Sequence, residues 1–478
     1  MSSEPSLRGP SRRTFLSVAI AAAGASAAAP LVSATNASAA GPSGDFPAAP
    51  PPTAQPPDAA LVALLQEIDP KRIEATVRAL VSFGTRHTLS SQTDPQRGIG
   101  AAAQWLFEQY QQVAATSGGH MTVEKQSYVQ QPASRIPVPT TITNIVATLQ
   151  GSADPNRTYV VSGHYDSRVT DVLNSTDDAP GADDDASGVA VALEVARVMA
   201  TRRTEATILF AAVAGEEQGL YGSTHFAQLL KAANVDVQGM FTNDIVGSST
   251  ADDGTRDPRT LRLFAEGVPT SETPAQAAVR QSVGGENDSP ARQLARFVRE
   301  VGDNGATRMN VRVVYRRDRY LRGGDQIPFL QQGYPVARFT EPHEDFRHEH
   351  QDVRVVDGVQ IGDLPEFCDF DYVAGVARVN AAALWSLANG PSTPRNAKIL
   401  TSNLTNKTEL VWDRGTDADL AGYQVVYRET TAPEWEHAVP VGDVTHVTLD
   451  ISKDNVFFGV RAVDTAGHHS PTAFPVPT

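Results

Sequence analysis

Three short turns between residues 161 and 217 carry side chains that suit chemistry: His164 and Asp166 in Val-Ser-Gly-His-Tyr-Asp-Ser, Asp184 in Pro-Gly-Ala-Asp-Asp-Asp-Ala-Ser-Gly, and Glu216 with Glu217 in Ala-Gly-Glu-Glu-Gln-Gly. That many carboxylates in one crevice repel each other unless positive charge sits between them. Imidazole nitrogen and carboxylate oxygen are metal donors, so a metal pair answers the demand. Taken singly, each turn also has an ordinary reading. A histidine after a strand can be a satisfied rim residue, Asp183-Asp184-Asp185 a solvated loop or helix cap, and Glu216-Glu217 the charged start of a helix. Their succession favours the metal reading.

Positioning these groups requires strands that end together. Tyr159-Val160-Val161 and Ile208 to Val213 are apolar runs of the kind that form buried strands, and each feeds one of the polar turns. In open α/β sheets ligands bind at the carboxyl ends of parallel strands. Helical spacing is present at 58–68, 71–83 and 98–115, and alternating strand patterns at 121–129 and 141–149. A strand at 158–162, a helix at 189–200, a strand at 207–213, a helix at 219–233 and a strand at 237–242 ending in Asn243-Asp244 form a βαβαβ succession. It predicts parallel pairing with right-handed crossovers. Residues 250–290, rich in Asp, Gly, Ser and Thr, read as a long loop. Beyond it come a helix (290–301), a strand (311–315), a short helix after Gly324, a strand (335–339) and a closing helix (370–387).

Other chemistries lack their patterns. The histidines of His343-Glu344-Asp345-Phe346-Arg347-His348 stand five apart, not the four that place two imidazoles on one helical face. Ser187 lies in Asp-Ala-Ser-Gly rather than a nucleophile elbow, and capping the following helix is its expected role. Cys368 is the single cysteine, so an intramolecular disulfide and a thiolate metal cluster are both ruled out. Its apolar-aromatic neighbours suggest a buried small residue.

The 478 residues exceed what one core usually supports, and a formal charge of −15 without a long basic run argues against nucleic acid or anionic membrane as a partner. Ser11-Arg12-Arg13-Thr14-Phe15-Leu16, an Ala-rich run and Ala37-Ser38-Ala39 read as a twin-arginine signal peptide over 1–40. Secretion by that route is expected, with no membrane association after its removal. Residues 41–57 are Pro/Ala-rich and read as a linker. After Gly390-Pro391 the pattern changes to short alternating strands at 408–412, 422–428, 446–449 and 456–464, with Trp412 as the expected buried aromatic. This 395–478 region resembles a fibronectin type III module, which implies an all-β immunoglobulin-like sandwich and contact with a surface or polymer, or a plain spacer.

The ordered set His-x-Asp, Gly-Ala-Asp-Asp-Asp-Ala-Ser-Gly, Gly-Glu-Glu-x-Gly-Leu-x-Gly-Ser, Asn-Asp and a late histidine resembles the two-zinc aminopeptidase family, whose relatives include leucyl aminopeptidases, glutamate carboxypeptidases and glutaminyl cyclases. For a domain over 58–390 the resemblance implies a phosphorylase/hydrolase-like α/β fold, a three-layer sandwich with a mixed sheet. It implies two Zn2+ held by His164, Asp184 as the bridge, Glu217, Asp244 and a histidine of His343-to-Asp352. The family's His-x-x-x-Asp ending favours His348, with His350 the rival and His343 a weaker one. Asp166 would orient the ring of His164, and Glu216 would be the general base. The expected activity is that of a secreted aminopeptidase acting on peptides or proteins. The alternatives are a carboxypeptidase or cyclising transferase of the same family, or an inactive peptidase-like binding protein. No substrate-binding residue is fixed: Asp325, Tyr221, Glu341 and Asp252-Asp253 are candidates for holding the substrate terminus, a carboxylate being needed for an ammonium, and Arg322 keeps a carboxylate terminus open. Some relatives have Ser-Asp-His where this chain has Gly324-Asp325-Gln326.

Overall fold

The apolar run ending at Val213 is buried at every position, as a strand covered on both faces must be. In the computed structural model, which describes residues 49–478, it is the fourth strand of an eight-stranded mixed sheet. The expected signal segment and the first part of the expected linker lie outside the described residues. Helices α1 (Ala59–Gln66), α2 (Pro70–Val81) and α3 (Ile99–Ala115) precede strands β1 (Met121–Gln130), β2 (Thr140–Leu149) and β3 (Asp154–His164). Then come α4 (Gly188–Met199), β4 (Ala206–Val213), α5 (Tyr221–Ala232), β5 (Asp236–Asn243) and β6 (Thr260–Phe264). α6 (Pro274–Val283), α7 (Pro290–Gly302), β7 (Asn310–Val314), α8 (Gln326–Gln331) and β8 (Val336–Thr340) continue the chain. A two-stranded ribbon, β9 (Arg354–Val356) and β10 (Val359–Ile361), separates them from the long helix α9 (Phe370–Asn389).

The sheet order is β1-β2-β4-β3-β5-β8-β6-β7. β4, β3, β5 and β8 run parallel to their neighbours in that group, while the β1/β2, β2/β4 and β6/β8 pairs are antiparallel. Side chains alternate between two cores. Tyr159, Val161, Ile208 and Phe210 face α1–α4, α7 and α9, whereas Val160, Leu209, Phe226 and Phe329 pack with α5 and α8 on the other side. The result is three layers around a mixed sheet.

Two sequence expectations change here. Residues 250–290 are not one loop: β6 enters the main sheet beside β8, and α6 is capped by the reciprocal Thr273/Gln276 hydrogen bonds. The described part of the linker is also held. Ala49 N–H donates to the Tyr427 hydroxyl (3.3 Å), Ala438 N–H to Pro50 O (3.0 Å), and His469 N–H to Gln55 Oε1 (3.0 Å). A segment too poor in apolar residues to make a core lies on another one.

That other core is the C-terminal one. β11 (Lys398–Ile399), β12 (Thr408–Val411), β13 (Leu420–Glu429), β14 (His437–Gly442), β15 (His446–Leu449), β16 (Val456–Asp464) and β17 (Val476–Pro477) form sheets ordered β15-β12-β11-β17 and β14-β13-β16. Leu410, Trp412, Tyr423, Val425 and Val460 are buried together among these strands. The C-terminal strands are tied to α7 and the residues before it. Arg428 Nη2 lies 2.6 Å from Asp288 Oδ2, Trp435 Nε1–H donates to Gln293 Oε1 (3.1 Å), and His469 Nε2 lies 2.8 Å from Glu300 Oε1. The described residues accordingly form one compact unit. No helix among the described residues is long and apolar enough to cross a membrane.

Candidate metal centre

Strand register places the site. β3 pairs Ser162 with Thr242 of β5 and His164 with Val213 of β4. His164 and Asp244 therefore stand level on neighbouring parallel strands, about 4.8 Å apart in such a sheet. Glu216 and Glu217 follow three and four residues beyond Val213. Asp184 comes from the turn leading into α4, and that turn presses on the strand. A Cβ on Gly163 would come within 2.4 Å of Val189 N, so only glycine lets α4 start there. Asp185 ties the two together by accepting from His164 N–H (2.9 Å) and Gly188 N–H (3.0 Å).

Asp184 lies between two imidazoles. His164 Nε2 is 3.0 Å from its Oδ1, and His350 Nε2 is 2.8 Å from its Oδ2. Two donor clusters result, His164 with Glu216 and Asp244, and Asp184 with Glu217 and His350; the ligand atoms within each lie no more than 4.8 Å apart. Glu217 Oε1 is 2.9 Å from His350 Nε2, yet is buried without an aligned hydrogen-bond partner. Asp325, 1% exposed, has neither carboxylate oxygen hydrogen-bonded. An orphaned buried carboxylate is costly. The donor set and the orphaned oxygens fit a pair of divalent cations, with Asp184 offering one oxygen to each cluster.

The electrostatics agree. Burial alone would lower the pKa of His164, but its contacts with Asp166 and Asp184 outweigh that and raise it well above its usual value. His350 follows the same pattern and is pushed up to about 11 by Glu217 and Asp184. Burial drives Glu216 well above the carboxylate range against the pull of His164. Burial likewise pushes Asp325 up to about 7. The pocket attracts positive charge throughout.

Comparison with known proteins gives this geometry a lineage. Residues 144–355 match the model of peptidase family M28. A probable zinc metalloprotease of Pyricularia oryzae is 58% identical over 426 residues, covering 88% of this chain and 85% of that protein. The chain belongs to peptidase family M28. A second probable zinc metalloprotease, from Pyrenophora teres f. teres, is 56% identical over 422 residues, covering 88% and 87% of the two chains. Among solved structures, LapB from Legionella pneumophila aligns with TM-score 0.48 at 20% identity over 70% of this chain and 77% of that one.

Within the M28 chain, His164, Asp184, Glu216, Glu217 and Asp244 converge as the motifs predict, and the expected His348 does not. Its ring stacks 3.6 Å from that of Phe367 and sits 3.6 Å from Asp345, while His350 reaches Asp184 and Glu217. The loop is irregular, so spacing within it carries no direction. Asp166 departs in part. Its main-chain oxygen is the nearer partner of His164 Nδ1 (3.1 Å), with Oδ1 at 3.6 Å. Its carboxylate accepts from the N–H groups of Glu216 (3.3 Å) and Glu217 (3.2 Å) and from the Thr88 hydroxyl (3.0 Å). Ser187 does not cap α4; its hydroxyl donates to Asp183 O (2.7 Å), and Asp185 takes the helix N–H instead.

Several residues of this M28 site are invisible to motif reading. Asp363 accepts from the N–H groups of Asp183 (2.7 Å) and Asp184 (2.9 Å). Arg86, fully buried, donates to Tyr165 O (2.7 Å), Pro180 O (2.6 Å), Gly181 O (2.8 Å) and Leu80 O (3.2 Å), stapling two metal turns; burial lowers it to about 10. Arg338 Nη2 holds Asp244 Oδ1 at 2.9 Å, and Arg168 Nε holds Glu217 Oε2 at 2.8 Å. A charge inside the buried strand Val336–Thr340 was the available signal for Arg338.

Proposed function

We propose that the chain is a two-zinc aminopeptidase. His164 and Asp244 would hold one ion, Glu217 and His350 the other, and Asp184 would bridge them. Zinc bound there supplies Lewis-acid polarisation of a scissile carbonyl and lowers the pKa of a water at the site. Glu216 engages neither Arg168 nor Arg338, which suits a general base rather than a fixed ligand. It takes the proton of the attacking water and delivers it to the leaving amine. Asp166 holds that turn in place through its main-chain N–H groups.

The observation that carries the aminopeptidase reading is a surplus of acceptors around the centre. Asp325 has two unpaired oxygens and Glu349 one. The nearby arginines are already engaged: Arg168 by Glu217, Arg319 by Glu344, Arg322 by Glu344 and Glu349. A free ammonium complements such a pocket, and a terminal carboxylate would have to break an existing pair. The test is a panel of aminoacyl and N-blocked peptides on zinc-loaded protein. Cleavage confined to free amino termini is expected, and turnover of N-blocked peptides alone would replace this reading with a carboxypeptidase.

The proposed setting is extracellular, reached through the twin-arginine segment. The strands beyond residue 395 would be a fibronectin type III-like module. Its ties to α7 suit a brace for the peptidase part as well as contact with a surface or polymer.

A further inference from the structure

Resting on the aminopeptidase reading above and deepening it, we infer that the chain selects peptides whose first residue carries a second ammonium, as lysine does, and that Glu349 receives it. A small, largely enclosed chamber adjoins the centre at Asp184. Its walls carry the carboxylates of Asp183, Glu341, Glu349 and Asp363, with Ile245 and Phe367 as apolar faces. No lysine or arginine is among the residues that line it. The imidazole there, His348, is turned to Asp345 (3.6 Å) and stacked on Phe367.

Three of these acids are satisfied by the main chain. Asp363 takes the N–H groups of Asp183 and Asp184, Asp183 that of Gly247 (2.6 Å), and Glu341 that of Ser248 (2.7 Å). Glu349 is the exception. It is 8% exposed, one oxygen is paired with Arg322, and Oε2 has no hydrogen-bond partner. Neither donor cluster includes Glu349, so ions at the centre would leave that oxygen unpaired. A buried carboxylate oxygen in that state is costly, and a cation with N–H groups to offer removes the cost. The chamber leaves room for about one water-sized group, which an ammonium matches and a planar guanidinium exceeds. Ile245 and Phe367 offer apolar surface to the methylene stem behind it. The centre thus has orphaned acids on two flanks. Asp325 belongs to the Asp244 side, since a Cβ on the preceding Gly324 would lie 2.9 Å from Asp244 Oδ2, and Glu349 belongs to the side of His350, which follows it in the chain. Two flanks call for two cationic groups: the free amino terminus at Asp325 and the lysine side chain at Glu349.

The experiment measures kcat/KM of the zinc-loaded full-length protein on lysyl, norleucyl, arginyl and leucyl anilides. Norleucine is lysine without its ammonium, so that contrast needs no variant. Lysyl anilide is expected to exceed norleucyl by at least about tenfold, the scale of one charge-assisted hydrogen bond, with arginyl below lysyl. Calorimetry of lysinamide against norleucinamide should show the same order without turnover. Glu349→Gln keeps size and removes charge, and should bring the lysyl-to-norleucyl ratio toward one through KM. The control Glu409→Gln, in the C-terminal strand β12, should keep the ratio. A variant that only disturbed His350 would lower every rate and leave the ratio. A ratio unchanged by Glu349→Gln would overturn the inference, and so would wild-type turnover of norleucyl and leucyl anilides with no gain for lysyl, which leaves the aminopeptidase reading standing. No turnover of any of the four would remove that reading and the inference with it.

Discussion

Asp363 holds Asp184 by the backbone: its two carboxylate oxygens take the N–H groups of Asp183 and Asp184 at 2.7 and 2.9 Å, so Asp184 is presented by an acid 179 positions away. Asp363→Asn replaces one acceptor with a donor facing an N–H. The expected outcome is a loss of about 1–3 kcal/mol in denaturant unfolding and weaker metal retention on dialysis. Unchanged retention would show that the turn keeps its shape unaided.

The two loop histidines should separate cleanly. His350→Ala is expected to cost metal content and most turnover. His348→Ala loses a stack on Phe367 and should leave metal content intact. Elemental analysis of the two purified variants makes the comparison.

Glu216→Gln keeps size and removes the proposed base. Turnover should fall by roughly 10²–10⁴-fold with metal content retained, measured on an aminoacyl anilide beside the wild type. A rate within a few-fold of wild type would take Glu216 out of the chemistry.

Glu300 links acidity to stability away from the site. Burial pushes its carboxyl up, but His469 at 2.8 Å and Arg461 at 3.4 Å outweigh that and hold it below the usual range. A depressed folded-state value means the contribution is present above the unfolded value of about 4.3 and disappears as pH falls through the folded one. Thermal unfolding should therefore show wild type above Glu300→Gln at pH 6, with the gap closing below about pH 4.3. A gap independent of pH would assign the effect to packing.

The strand-turn rhythm was legible because the turns bearing His164, Glu216–Glu217 and Asp244 each follow an apolar run, and those runs are the buried strands β3, β4 and β5. β6 was hidden by its polar surroundings, although Thr-Leu-Arg-Leu-Phe alternates. α6 buries none of its residues and so leaves no apolar stripe to read. The choice between His348 and His350 was beyond spacing, since the loop has no period. Arg86 and Asp363 act through long-range contacts with backbone, and nothing local in the sequence marks such partners; Arg338 is marked only by its charge inside a buried strand.

The lacing of residues 49–55 onto the strands around Tyr427, Ala438 and His469 bears on biogenesis. During synthesis these early residues emerge hundreds of positions before their partners, and they can only dock once the last part of the chain has left the ribosome. A polypeptide interrupted before residue 427 would keep that stretch dangling, exposed to proteases.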